Sequence, residues 1–335
     1  MSSARPRVLM TMSADACAQL FDETRRARLT GMADLLAPPP ADLDDPVLVD
    51  ALAETEVLIT SWGAPRLDAV RLSRMPKLRA VFHAAGSVRE IVSEEFWRRG
   101  ILITSAAETN AVPVAEFAFA AIVMAGKRAF TLLRTPAGER HDGGLAAHAG
   151  IGNLDRTIGI VGYSRIGRRV VEMLRLLDVD VLVADPFADA DVVARAGARL
   201  VPLDELLPRA SVLSLHAPAL PSTRHMIGAA ELAALPDGAT VINTARGMIL
   251  DHDALLAECR TGRLDALLDV TDPEPLPPDS ELHRLPNVAI TPHIAGSLGT
   301  EIRRLADSAL DELAAHIAGS PARFPVTASD MGLTA

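Results

Sequence analysis

Short apolar runs alternate with stretches of helical periodicity along nearly the whole chain. The runs at residues 8–10, 57–60, 78–82, 101–104, 158–161, 179–184, 212–215, 240–242, 266–270 and 288–290 are continuous and rich in valine, isoleucine and leucine. Continuous runs of this kind mark strands buried on both faces, as in parallel sheets. Between them, residues 88–99, 167–177, 204–207 and 251–259 carry apolar side chains at helical spacing. The alternation predicts α/β architecture, with helices covering both faces of parallel sheets.

The number of strands calls for two sheets. Residues 111–130 predict one long apolar helix, and Glu116 within it favours a buried helix over a membrane span. A looser stretch follows, with Pro136, Gly138, Gly143, Gly144, Gly150 and Gly152. The expected division is a discontinuous domain of residues 1–105 plus 294–335 and a second domain of 106–293. Helix 299–318 returns to finish the first, and 321–335 is left as a surface extension or lid. No solenoid-type repeat is present.

A chain of 335 residues exceeds one compact core and fits two domains of ordinary size. With 49% apolar and 23% charged residues it is a folded protein. The net charge of −10, with no basic block to offset it, argues against a nucleic-acid partner. Arg25, Arg26 and Arg28 cluster beside Asp22 and Glu23, the pattern of a solvated helix face. Cys17 and Cys259 make neither a disulfide framework nor a metal-ligand spacing, which fits a reducing, cytoplasmic setting and no metal. Residues 8–10 are too few for a signal peptide and read as a first strand.

The segment TIGIVGYSRIGRRVVEML combines a buried strand, a glycine turn and a helix start. Gly162, Ser164 and Gly167 fill the three positions of the dinucleotide fingerprint, with Tyr163, Arg165 and Ile166 between them. Such a turn presents helix N–H groups to a pyrophosphate. Ser164 departs from the pattern: its hydroxyl either donates to a phosphate or crowds it. The next strand ends in Asp185, placed to accept from ribose hydroxyls and repel a 2′-phosphate, so NAD is favoured over NADP. A helix cap is the alternative task for Asp185.

Three later segments each end a strand-like run with an ionisable side chain: NTARG with Arg246, LDVTDPEP with Glu274 and TPHIAG with His293. A fixed cation, a carboxylate and an imidazole are the groups needed to hold an acid and move a proton near neutral pH. Singly, each has an ordinary structural explanation. Together, downstream of a dinucleotide turn, they point to a dehydrogenase.

On VGYSRIG (161–167), SLHAP (214–218), INTARGMILD (242–251), ALLDVTDPEPLP (266–277) and NVAITPHIAG (287–296), the chain resembles the D-isomer-specific 2-hydroxyacid dehydrogenase family. The resemblance spans about residues 50–320. It implies two Rossmann-like, doubly wound parallel-sheet domains, one flavodoxin-like and one NAD-binding. It also implies that His293 exchanges the proton of the substrate carbonyl, with Glu274 bonded to its imidazole. Arg246 is expected to hold the substrate carboxylate, a bidentate task suited to guanidinium. Asp269 resembles the residue at the nicotinamide end, while His216, Ala217, Pro218, Thr244 and Ala245 line the cofactor cleft, His216 through its backbone. The loop His83, Ala84, Ala85, Gly86, Ser87, Val88 matches the substrate loop, whose N–H groups take the carboxylate. Many relatives place an aspartate where Val88 stands. Trp62, ending another strand, is a second candidate for the substrate side.

Residues 61–65 contain no arginine pair to hold a phosphate, so a small unphosphorylated 2-keto acid such as glyoxylate, hydroxypyruvate or pyruvate is expected. A formate dehydrogenase would carry glutamine in place of Glu274. The competing function is an NAD-binding, dehydrogenase-like regulator of the corepressor type. By analogy with the family, a homodimer is expected, with no membrane partner.

Overall fold

The computed structural model describes residues 5–134 and 150–332. Pro136, Gly138, Gly143 and Gly144 of the predicted loose stretch lie outside the described residues. The chain divides into two compact units, one of Met1–Asn110 with Ser297–Thr334 and one essentially of Ala111–Gly296.

The first unit holds a parallel sheet of β1 (Arg7–Thr11), β2 (Asp34–Leu35), β3 (Val57–Thr60), β4 (Ala80–His83) and β5 (Leu102–Ser105), in the order β2-β1-β3-β4-β5. Alternate residues point to opposite faces, as a pleated strand requires. Val8, Met10, Ile59 and Phe82 pack under helices Ala14–Leu20, Glu23–Met32 and Ile302–Ile317. Leu9, Leu58, Val81 and Ile103 pack on the other side with Leu52, Leu72 and Phe96. Both faces are covered, which is why these strands read as unbroken apolar runs.

The second unit holds β6 (Arg156–Val161), β7 (Val179–Ala184), β8 (Arg199–Leu200), β9 (Val212–Leu215), β10 (Thr240–Asn243), β11 (Asp265–Leu268) and β12 (Val288–Ile290). Their order is β12-β11-β10-β9-β6-β7-β8, and every pairing is parallel. The strand order reverses between β6 and β9, the switch point at which doubly wound sheets open a crevice beyond their carboxyl ends. Its two cores again alternate along each strand, Leu213 and Leu215 on one face and Val212 on the other.

Four local expectations are corrected. Residues 88–99 are not one helix. Turns occupy 89–91, and the helix Glu94–Arg98 begins only at Ser93, whose Oγ accepts from the Phe96 N–H. Val88, Ile91 and Val92 owe their helix-like spacing to a turn pressed into the core. The long helix is split into Ala107–Gly126 and Ala129–Arg134. Arg128 sits between them at φ +49°, and its guanidinium reaches the buried Asp265 at 3.2 Å. The former helix buries Ala118, Ala121, Ile122 and Ala125 in the second unit's core.

The tail is not a lid. Pro325 bridges Thr104 antiparallel, and Val326 N–H donates to the Ile103 carbonyl at 2.8 Å, so residues 324–326 line the open edge of β5. Buried Glu312 accepts the N–H groups of Arg323 and Phe324 and pins this strap. Arg25 and Arg28 are likewise more than solvated: they pair with Asp307 and Asp311 on helix Ile302–Ile317.

Candidate active site

The glycine turn joins β6 to helix Arg165–Leu174 at the switch point. Gly162 adopts φ +95°, and a Cβ there would lie 2.5 Å from the Ala217 nitrogen. A Cβ on Gly167 would lie 2.1 Å from the Gly162 carbonyl oxygen. The SLHAP backbone and the helix start thus close on the turn with no space for side chains, leaving a cradle lined by main chain. Ser164 is tolerated because its φ is −73°, a value any residue adopts. It is the helix N-cap, and its Oγ accepts from the Gly167 N–H at 3.4 Å. The hydroxyl therefore takes up a donor that the fingerprint helix otherwise offers a phosphate.

Asp185 ends β7 and ties that strand to the turn. One oxygen accepts from the Tyr163 N–H at 2.7 Å and the other from the Phe187 N–H at 2.8 Å. Each oxygen keeps a second acceptor site for a ribose hydroxyl.

His216 lies across the switch point, 3% exposed, with Nε2 2.9 Å from the Ser214 Oγ. Burial pushes its pKa down to about 3, so the ring is neutral. Its Nδ1 and the Thr244 Oγ are buried polar atoms without a partner among the described residues. Orphaned polar atoms beside a main-chain cradle fit the polar groups of a dinucleotide. Pro218 follows the same strand end.

Asn243, fully buried at the end of β10, braces the next turn. It accepts from the Ala245 N–H at 3.0 Å and donates to the Arg246 carbonyl at 2.9 Å. Arg246 itself folds back so that Nη1 donates to the Ala245 carbonyl at 2.6 Å. Packing around the guanidinium lowers its pKa and Glu274 opposes that shift. Sequence reasoning passed over Asn243, although it opens the NTARG motif.

Asp269, just past β11, organises the last segment. Its carboxylate accepts from the Thr291 hydroxyl at 2.6 Å, the Ile294 N–H at 2.8 Å and the Ala295 N–H at 2.9 Å. Its carbonyl takes the His293 N–H at 3.0 Å. The side chain is thereby committed within its own unit, a role not foreseen in its expected position at the nicotinamide end. The clamp holds His293 at φ +54°, a backbone conformation that a non-glycine residue keeps only when its surroundings fix it. His293 Nδ1 lies 2.5 Å from Glu274 Oε1, with side chains 51% and 39% exposed. Nε2 is then the nitrogen left for proton exchange.

The substrate-side candidates lie in the first unit. His83 is buried, bonded through Nδ1 to the Thr60 hydroxyl at 2.9 Å, and burial pushes its pKa down to about 4. A hydrogen bond to the Ser87 backbone makes it a neutral brace for the loop it opens. Val88 is 2% exposed in the core, so this position cannot present a polar group to a ligand as aspartate would. Ala85 is buried, Gly86 partly so and Ser87 exposed. Trp62 stands exposed at the end of β3.

Residues 137–295 match the model of the D-isomer specific 2-hydroxyacid dehydrogenase NAD binding domain. The chain is 31% identical over 278 residues to a glyoxylate reductase of Korarchaeum cryptofilum, covering 82% of this chain and 83% of that protein. It is 37% identical over 236 residues to an (S)-sulfolactate dehydrogenase of Chromohalobacter salexigens, covering 69% and 75%. Among solved structures, the NAD-complexed D-isomer specific 2-hydroxyacid dehydrogenase of Lactobacillus delbrueckii shares the fold at TM-score 0.80 and 20% identity, over 96% of this chain and all of that one.

Proposed function

Because the chain belongs to the D-isomer-specific 2-hydroxyacid dehydrogenase family and is an NAD-dependent oxidoreductase, we propose that His293 is the acid/base group of a 2-keto acid reductase. The observation that carries this reading is the His293–Glu274 hydrogen bond on a loop clamped by Asp269. When bound, NADH supplies the hydride that adds to the substrate C2. His293 gives its Nε2 proton to the carbonyl oxygen, completing the hydroxyl, and the carboxylate of Glu274 stabilises the imidazolium before transfer. Arg246 holds the substrate carboxylate and polarises the carbonyl. The second unit carries the cofactor at Gly162–Gly167, Asp185, Ala217 and Thr244.

The substrate in this reading is a small unphosphorylated 2-keto acid, and the working form a homodimer, for which Met124, Leu133 and Leu154 are exposed apolar candidates. The test is loss of NADH absorbance with a panel of 2-keto acids, NADPH in parallel, and gel filtration for the dimer. Turnover in wild type that survives in His293→Ala would overturn the assignment. NADH binding without oxidation by any keto acid would return the protein to the regulator class.

A further inference from the structure

Arg246, Glu274 and His293 stand on separate loops of the second unit, yet the first two of those loops are in backbone contact. A Cβ on Gly247 would lie 2.0 Å from the carbonyl carbon and oxygen of Thr271 and 2.5 Å from the Asp272 nitrogen. Gly247 does not have a left-handed φ. What demands glycine there is the Thr271–Asp272 peptide lying against its Cα. Gly247 is held in its turn. The carbonyl of Arg246 before it accepts from the Asn243 side chain at 2.9 Å, and its own carbonyl accepts from the Leu250 N–H at 3.0 Å. The turn that bears Arg246 is therefore the floor on which the loop of residues 271–275 sits.

Thr271 passes this fixed position on to Glu274. It is buried, and its Oγ donates to the Pro273 carbonyl at 2.8 Å. That carbonyl belongs to the peptide joining Pro273 to Glu274. A peptide is planar, so holding its oxygen sets the direction in which the chain enters Glu274. The Glu274 side chain is 39% exposed and reaches His293 Nδ1 on a flexible stem. Its aim therefore depends on the backbone beneath it. The loop's other tie, Asp272 to Arg224 at 3.5 Å, joins side chains open to water and contributes little.

We propose that Thr271, seated on Gly247, is a positioning residue for the acid/base pair: its hydroxyl aims Glu274 at His293 and keys that pair to the turn carrying Arg246. The inference rests on the reductase reading above and adds to it a residue that acts through Glu274. A displacement of about 1 Å at a reacting group can cost about 100-fold in rate. A single hydroxyl placed here has leverage on turnover out of proportion to its part in the fold.

The test compares Thr271→Val, which keeps the shape and removes the hydroxyl, with Thr271→Ser, which keeps the hydroxyl. Thr271→Val is expected to lower kcat by about 10-fold and leave the NADH dissociation constant within about 3-fold. It should move the pH profile of kcat/KM in the same sense as Glu274→Gln, whereas Thr271→Ser stays near wild type. In the Glu274→Gln background Thr271→Val should change kcat by no more than about 2-fold, because the residue it acts through is already gone. Gly247→Ala should raise the keto-acid KM and lower kcat together. A further readout needs no turnover. Imidazole nitrogen NMR, with the His293 signal identified by its loss in His293→Ala, should show the neutral ring protonated on Nδ1 in wild type and a mixture of tautomers in Thr271→Val. Wild-type kcat or a wild-type tautomer in Thr271→Val, or an equal loss in Thr271→Ser, overturns this inference alone. So does an equally large effect on top of Glu274→Gln, or a change in KM alone in Gly247→Ala. Absence of turnover with every keto acid in wild type overturns the reductase reading, and the tautomer comparison then still decides whether Thr271 aims Glu274.

Discussion

His293 donates from Nδ1 to Glu274 across 2.5 Å although the two residues stand on separate loops 19 positions apart. The bond fixes the tautomer and directs Nε2 outward. His293→Ala is expected to lower kcat by about 10²- to 10⁴-fold, the usual contribution of a general acid, with the NADH dissociation constant within about 3-fold of wild type. Glu274→Gln should lower kcat less and move the pH profile of kcat/KM. Stopped-flow fluorescence and steady-state rates separate the two effects, and an unmoved profile would remove Glu274 from the mechanism.

Asp269 positions the same imidazole from the other side. In Asp269→Asn one of the two acceptor oxygens becomes a donor, facing either the Ile294 N–H or the Ala295 N–H. Losing a hydrogen bond to a charged acceptor and leaving a buried donor unpaired costs about 2–3 kcal/mol. A lowered melting temperature together with a fall in kcat is the expected outcome. Wild-type melting would show that the clamp does not hold the loop.

The Ser164 cap can be dissected with two substitutions. Ser164→Ala should cost the helix about 1 kcal/mol, whereas Ser164→Gly should cost only a few tenths. Ser164→Gly also releases the Gly167 N–H, so tighter NADH binding is predicted in a fluorescence titration. Weaker binding would show instead that the hydroxyl contacts the cofactor directly.

Acid should destabilise the fold through two neutral histidines. His83 and His216 ordinarily titrate at 6.5 and are pushed to about 4 and about 3 by burial. Below pH 6.5 the unfolded chain binds protons that the folded one refuses, so stability falls with falling pH and levels off below each folded value. Each contributes a slope of about 1.4 kcal/mol per pH unit within its window. Urea denaturation between pH 7 and 4 measures this, and His83→Gln should flatten the limb. A free energy independent of pH across that range would contradict the burial of both rings.

Much of this could be read from the chain because its strands are covered on both faces, and a run such as 57–60 has no solvent side to interrupt it. The edge strands Asp34–Leu35 and Arg199–Leu200 left no such mark, being two residues long and half polar. The break at Arg128 was hidden because the carboxylate its guanidinium reaches, Asp265, lies 137 positions away. Glu312 reads as one more surface carboxylate on an amphipathic helix, and only the returning tail reveals why it is buried. In the site, the reacting types were visible at Arg246, Glu274 and His293. The bracing roles of Asn243 and Asp269 were not, since a side chain that bonds to backbone, whether next to it or 25 positions away, leaves no spacing signature.

Helix Ile302–Ile317 supplies Ile302, Leu305, Ala309, Leu310 and Leu313 to one face of the first sheet. All five strands of that sheet leave the ribosome before it does, and the 186 residues of 111–296 (296 − 111 + 1) come between. At ordinary elongation rates of about 5–20 residues per second, the nascent sheet waits roughly 10–40 s with that apolar face bare. The split arrangement of the first unit therefore places the risk of aggregation during synthesis in the half that starts first and finishes last.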